Sequence, residues 1–158
     1  MDGIDVGLVN QAEERVGGVQ VGGLNLPGKI YGLELGLWNE VEGRVGGIQL
    51  AGVANLAGEL DGFEVSIANQ VYERARGVQL AAGANLAGEL VGVQLAGIHN
   101  RSDRVVGVQI GGVLNETESL MGLQIDLLNI NNNGLLPFFP FINFGFASES
   151  EESEESED

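Results

Sequence analysis

Glycine sets the frame of this chain. It recurs at positions 3, 18, 32, 47, 62, 77, 92, 107 and 122, at spacings of 15, 14 and then 15 six times. An apolar residue follows each one: Ile4, Val19, Leu33, Ile48, Phe63, Val78, Val93, Val108 and Leu123. Then comes a polar residue: Asp5, Gln20, Glu34, Gln49, Glu64, Gln79, Gln94, Gln109 or Gln124. A second apolar residue completes the word: Val6, Val21, Leu35, Leu50, Val65, Leu80, Leu95, Ile110 and Ile125. Alternation with period two is the signature of a half-buried strand, here expected to turn its apolar residues inward. Seven or eight residues after each glycine stands an asparagine: Asn10, Asn25, Asn39, Asn55, Asn69, Asn85, Asn100, Asn115 and Asn129. The one-residue wobble predicts a bulge or corner that absorbs the slip.

A period of this length signals a repeat architecture. Residues 32–61 and 62–91 also match as thirty-residue units, each ending Asn-Leu-Ala-Gly-Glu-Leu or closely so. Two all-β folds use such a pattern. One is a parallel β-solenoid (β-helix) of about nine 15-residue coils. The other is an antiparallel β-meander or barrel, in which thirty residues make a hairpin. The charges favour the solenoid. Arg44, Glu59, Arg74, Glu89 and Arg104 stand at steps of fifteen. Stacked about 4.8 Å apart, alternating signs attract, whereas in a meander the alternation would have no cause. Stacked asparagines would bond along the column and to the backbone at a corner, and the glycines suit a corner needing positive φ or close backbone approach. The core would be filled by the two apolar columns together with Val16, Ile30, Val45, Leu60, Leu90, Val105, Leu120 and Leu135.

The solenoid is expected over 1–136. An aromatic C-terminal cap follows at 137–146, with Phe138, Phe139, Phe141, Phe144 and Phe146 as cap or docking residues, and Pro137 and Pro140 expected to end strand pairing. As a lid, the Phe side chains would cover the open core. Residues 147–158 hold seven acids and no base, which predicts a disordered acidic tail.

Length and charge narrow the function. The 158 residues suit one domain, and 23 acidic residues against 7 basic ones give a net charge of −16. The chain has no cysteine, so disulfide scaffolds, Cys-based metal sites and Cys nucleophiles are excluded. The acidity argues against direct nucleic-acid binding. An acidic, Lys-poor surface is common in high-salt cytoplasm, so halophilic adaptation is one source of this composition. The start, Met1-Asp2-Gly3-Ile4-Asp5, lacks a basic n-region, so a cytoplasmic location is expected. The longest uncharged stretch, Leu127–Ser148, holds five Asn and two Pro and is no transmembrane helix.

Catalytic or binding groups are sparse. His99, Ser102 and Asp103 lie in one exposed corner, whereas a triad needs separate elements converging on a pocket. Asn131, Asn132, Asn133 and Asp126 offer oxygen ligands for Ca²⁺, but a turn before Gly134 is the simpler reading. Trp38, Tyr31 and Tyr72 are scattered single aromatics, and Ser148, Ser150, Ser153 and Ser156 sit among acids as phosphorylation candidates. No catalytic, cofactor-binding or metal-binding residue is assigned, and no cofactor is expected.

The words Gly-Val-Gln-Leu/Ile-Ala/Gly-Gly-x-x-Asn at 92–100 and 107–115 resemble those of bacterial surface-repeat proteins of the spirochaete lipoprotein type. The resemblance covers about 3–146. It implies a repetitive β structure and a surface role, and no catalytic residues. The chain departs from those proteins in having no lipobox cysteine. The expected function is a non-catalytic structural or protein-interaction module, not an enzyme, with a protein partner or self-association. Two alternatives are an acidic DNA mimic that binds a DNA-binding enzyme and a glycan-active β-helix enzyme.

Overall fold

The computed structural model describes residues 2–134 and 137–146. Leu135 and the acidic tail 147–158 lie outside the described residues. The protein is all-β, with no helix among the described residues and hence none long and apolar enough to cross a membrane. Four elements form one open, mixed sheet in the order β1 (Asp2–Ala96), β2 (His99–Ile110), β3 (Leu114–Asn131) and β4 (Phe138–Gly145).

β1 spans 95 residues. A straight strand of that length would reach roughly 300 Å. Side-chain hydrogen bonds inside β1 instead join Asn10 to Asn25, Asn25 to Asn39 and Asn39 to Asn55, so the run lies alongside itself. β1 pairs in parallel with β2, and β2 with β3, both in steps of fifteen: Asn85↔Asn100↔Asn115, Gly92↔Gly107↔Gly122 and Gln94↔Gln109↔Gln124. Like residue therefore lies on like. The antiparallel meander or barrel does not describe these pairs. Strands that run the same way at a fixed step bring each Asn and Gln onto its own kind at every step.

Each framing glycine has positive φ, from 125° at Gly77 to 156° at Gly62. A Cβ on Gly92 would stand 2.0 Å from the Gly77 carbonyl oxygen. Conformation and close approach therefore both demand glycine here.

The core departs from expectation. Val16, Ile30, Val45, Leu60, Leu90, Val105 and Leu120 are buried, joined by Val41, Ala57, Val71, Ala75 and Ala87. The two apolar columns around the Gln/Glu position face outward instead. Ile4 is 75% exposed and Val6 71%, and the columns stay half-buried or exposed through Leu123 and Ile125. The residues between them, from Gln20 to Gln124, are fully buried. Leu90, Gly92 and Gln94 are two apart, so in extended chain they line one face, and an inward Leu90 carries Gln94 inward with it.

The C-terminal segment also differs from expectation. The prolines do not end pairing: β4 runs antiparallel to β3, with Gly145↔Gly122, Phe144↔Leu123, Asn143↔Gln124 and Ile142↔Ile125. Pro140 falls within the irregularity between Asp126 and Asn129, the place on an edge strand where a residue without N–H is tolerated. Phe141 beside it takes a φ of 70°. The Phe rings are not a buried lid. Phe138, Phe139, Phe141, Phe144 and Phe146 are all exposed. The β4 backbone covers the β3 edge, and alternation turns Asn143, not a ring, inward.

Candidate interaction surface

Each repeat has two stretches of opposite character. From Asn to the next Gly, apolar side chains point in and charged ones out. From Gly to Asn, polar side chains point in and apolar ones out.

The inner side of the Gly-to-Asn stretch is a pair of amide ladders. In the first, each Asn Nδ2 donates to the next Asn Oδ1 at 2.8–3.0 Å, unbroken from Asn10 to Asn129. The same amides donate to backbone carbonyls, as Asn85 does to Leu95 at 2.8 Å and Gln79 at 3.2 Å. The 14-, 15- and 16-residue steps all keep the ladder, so the sequence wobble is absorbed without losing a bond.

In the second ladder, Gln124 donates to Gln109, Gln109 to Gln94 and Gln94 to Gln79, at 2.7–2.9 Å. Gln79 then donates to Glu64, and Gln49 to Glu34. A carboxylate has nothing to pass on. Gln49 Oε1 and Glu64 Oε1 are both buried without a partner, as are Gln20 Oε1 and Glu34 Oε1. Each orphan pair spans one ladder step, and one proton on each carboxyl supplies the missing donor. Burial pushes the Glu34 pKa up to about 7 and that of Glu64 to about 8, against the opposing hydrogen bonds from Gln49 and Gln79. The partnerless oxygens and the burial both favour the neutral acid.

With its polar groups turned inward, this stretch shows the solvent only Val, Leu, Ile and Phe at both positions flanking the buried amide. Leu8, Leu37, Trp38, Val53, Ile67, Ile98, Val113, Leu127 and Leu128 extend the apolar surface toward the Asn corner. The charged residues within the Gly-to-Asn stretches, Asp5, Glu34, Glu64 and Asp126, are buried or half-buried. β4 adds a row, since Phe144 and Ile142 pair with Leu123 and Ile125 and continue both columns. The sequence carried this signal, because Ile142-Asn143-Phe144-Gly145 is the repeat word spelled backwards.

The opposite stretch holds the ion pairs. Glu89 bonds Arg74 at 2.6 Å and lies 3.6 Å from Arg104, so this part of the charge column pairs. Arg44 instead joins Asp61, which Arg76 also approaches at 3.8 Å. Glu59 makes no ion pair among the described residues.

The remaining candidates are not brought together. Ser102 turns inward and bonds Gln94 Oε1 at 3.1 Å, while His99 Nε2 lies 3.5 Å from Glu116. No hydrogen bond joins His99, Ser102 and Asp103. Asn131 to Gly134 is a turn closed by Gly134 N–H donating to the Asn131 carbonyl at 3.0 Å. Burial raises the Asp126 pKa, and its Oδ1 accepts from the Leu127 N–H. No cluster of three or more metal-ligating His, Cys, Asp or Glu occurs among the described residues. Trp38 stands in a Gly-to-Asn stretch and Tyr31 and Tyr72 in the charged one, so no aromatic row forms. The serines of the tail lie outside the described residues.

No protein-family model, curated protein or solved structure matches this chain.

Proposed function

We propose that this protein is a non-catalytic interaction module, a parallel β-solenoid of about nine 15-residue coils whose apolar outer wall is its working surface. The uncharged wall carries the reading. Among the described residues of this acidic chain every exposed charge lies off one side of the repeats, although water would favour the reverse. Apolar surface of that extent is a mark of interaction sites. The resemblance to bacterial surface-repeat proteins agrees with a scaffold or display role.

The DNA-mimic alternative has less support. A mimic needs exposed acids in uninterrupted rows, whereas Glu89 and Asp61 are each flanked by two arginines. The glycan-active alternative needs paired acids lining a groove, and Glu34 and Glu64 are sealed in the interior.

In-phase deletion tests the reading. Removing residues 62–91 takes out two whole coils. The product should keep its β-sheet circular dichroism and shorten by roughly 10 Å in small-angle scattering. Because every coil presents the same wall, association through it should weaken without vanishing. Removing 62–84 breaks the phase and should abolish cooperative melting. Equal behaviour of the two deletions would overturn the stacked-coil reading.

A further inference from the structure

The apolar wall has the dimensions, neutrality and side-chain pattern to take a second copy of itself. We propose that two copies dock wall to wall, with the two-fold axis along the strand direction. This rests on the stacked-coil reading above.

Three observations lead to the partner. The first is area. Nine glycine-framed rows plus β4, each showing about five residues, make a strip of roughly 800 Å² per copy, which is what a stable interface buries on each side. The second is charge. An acidic chain repels most copies of itself, but among the described residues the exposed charges lie on the Asn-to-Gly stretches, so wall-to-wall docking brings none of these into contact. The same acidity disfavours an anionic lipid surface as the occupant.

The third is pattern. Five residues beyond each framing glycine stand Leu8, Gly23, Leu37, Gly52, Ile67, Ala82, Gly97, Gly112 and Leu127. An axis along the strands between the rows of Gly62 and Gly77 reverses the row order and keeps position along the strand. It sets Leu127 opposite Gly23, Leu37 opposite Gly112, and Ile67 opposite Ala82. Leu127, Leu37 and Ile67 each meet a small residue, Gly52 meets Gly97, and Leu8 meets the β4 row, so the central part of the surface is self-complementary as a two-fold contact requires. A shallow groove of about 430 Å³, lined by Val65, Leu80, Ala81, Leu95, Ala96 and Ile110, lies beside that axis. The facing sheets would pack at the usual spacing of about 10 Å.

The test uses the full chain and light scattering. The wild-type protein should have the mass of a dimer at micromolar concentration. Val65→Glu and Leu80→Lys, whose side chains point outward, should each lower the mass to that of a monomer with unchanged circular dichroism. Under the proposed axis residue 65 faces residue 80 of the other copy. Mixing V65E with L80K should therefore restore dimers, and mixing V65E with L80E should not. A wild-type monomer at about 100 µM would overturn the proposal, as would a dimer that the wall variants leave intact. Failure of rescue with both single variants monomeric would overturn the proposed pairing. A wild-type monomer that binds neutral phosphatidylcholine vesicles would reassign the wall to lipid. If the 62–91 deletion still folds in any of these cases, the stacked-coil reading stands and only self-docking fails.

Discussion

The two stretches of each repeat solve one packing problem in opposite ways. Between Asn and Gly, Val45, Leu60 and Leu90 are buried and Arg74, Glu89 and Arg104 face water. Between Gly and Asn the polarity inverts, with amides inside and aliphatics outside. The first stretch is held by apolar burial, which tolerates variation in shape, and Val, Ile, Leu and Ala all serve in its inner column. The second is held by hydrogen bonds between identical groups, which tolerate almost none. That explains why the inner positions of the second stretch are so nearly uniform in composition.

The largest effect should come from the glycine that joins the two stretches. Gly92→Ala puts a Cβ 2.0 Å from the Gly77 oxygen at a φ of 146°. A loss of about 3 kcal/mol or more is expected in denaturant melts. Gly52→Ala, an exposed site whose Cβ would meet Leu37 alone, at 3.1 Å from its Cδ2 and 3.9 Å from its Cα, should change stability by less than about 1 kcal/mol.

The ladders can be set against the apolar column directly. Asn85→Leu removes donated bonds to Gln79, Leu95 and Asn100 and leaves Asn69 Nδ2 without its side-chain acceptor. Leu90→Ala opens a cavity on the other side of the same repeat. Each should cost about 2–4 kcal/mol, the first through unsatisfied buried groups and the second through lost packing. Leu90→Met should recover most of the loss, whereas Asn85→Asp, of nearly the same shape, should not, because a carboxylate cannot pass on the bond. Equal tolerance at both sites would remove the contrast between the stretches.

Much of this was legible in the sequence. Glycine and asparagine spacing fixed the step of fifteen, and Val16, Ile30, Val45, Leu60, Leu90, Val105 and Leu120 are buried as expected. The facing of the Gly-to-Asn stretch was not. Alternation shows that a strand has two unlike faces but is silent on which is inside, and the usual preference for apolar burial pointed the wrong way. Bonds between amides of successive rows override that preference here, and they exist only once the rows are stacked. The near-constant Gln/Glu position was the available clue, since solvent imposes no such uniformity. The charge column was legible only in part, because the flexible Arg44 side chain reaches Asp61 where fixed spacing pointed to Glu59.

Acidity tests the second ladder. Unfolded, both carboxyls ionise near 4.5; folded, Glu34 titrates at about 7 and Glu64 at about 8. The folded state therefore holds protons that the unfolded state has released. Stability from these groups is full below about pH 4.5, declines as pH rises, and is spent once pH passes about 8. Thermal melts from pH 5 to 9 should show that decline. The paired variant Glu34→Gln/Glu64→Gln supplies permanent amide donors, so it should flatten the profile and be the more stable protein at pH 8. The two carboxyls also disfavour each other's charge, so each single variant relieves the carboxyl that remains, and the two single gains should add to more than the gain of the double variant. A double variant with the wild-type pH profile would place the titrating protons elsewhere.

The smallest effect belongs to the charged stretch. Glu89 meets Arg74 and Arg104, yet all three side chains are partly in water, where such pairs contribute about 0.2–1 kcal/mol and less as salt rises. Glu89→Gln should therefore cost under about 1 kcal/mol at low ionic strength and close to nothing in molar salt. Glu59→Gln, at the same place in the repeat but with no ion pair among the described residues, should be neutral at both. Asp61→Asn should behave like Glu89→Gln, because Asp61 is likewise shared by two arginines, Arg44 and Arg76. If Glu59→Gln destabilises as much as Glu89→Gln, the alternating column pairs throughout as a ladder of its own. The charged stretch would then rely on matched like-for-like contacts as the amide stretch does, and the division of labour between the two would not hold.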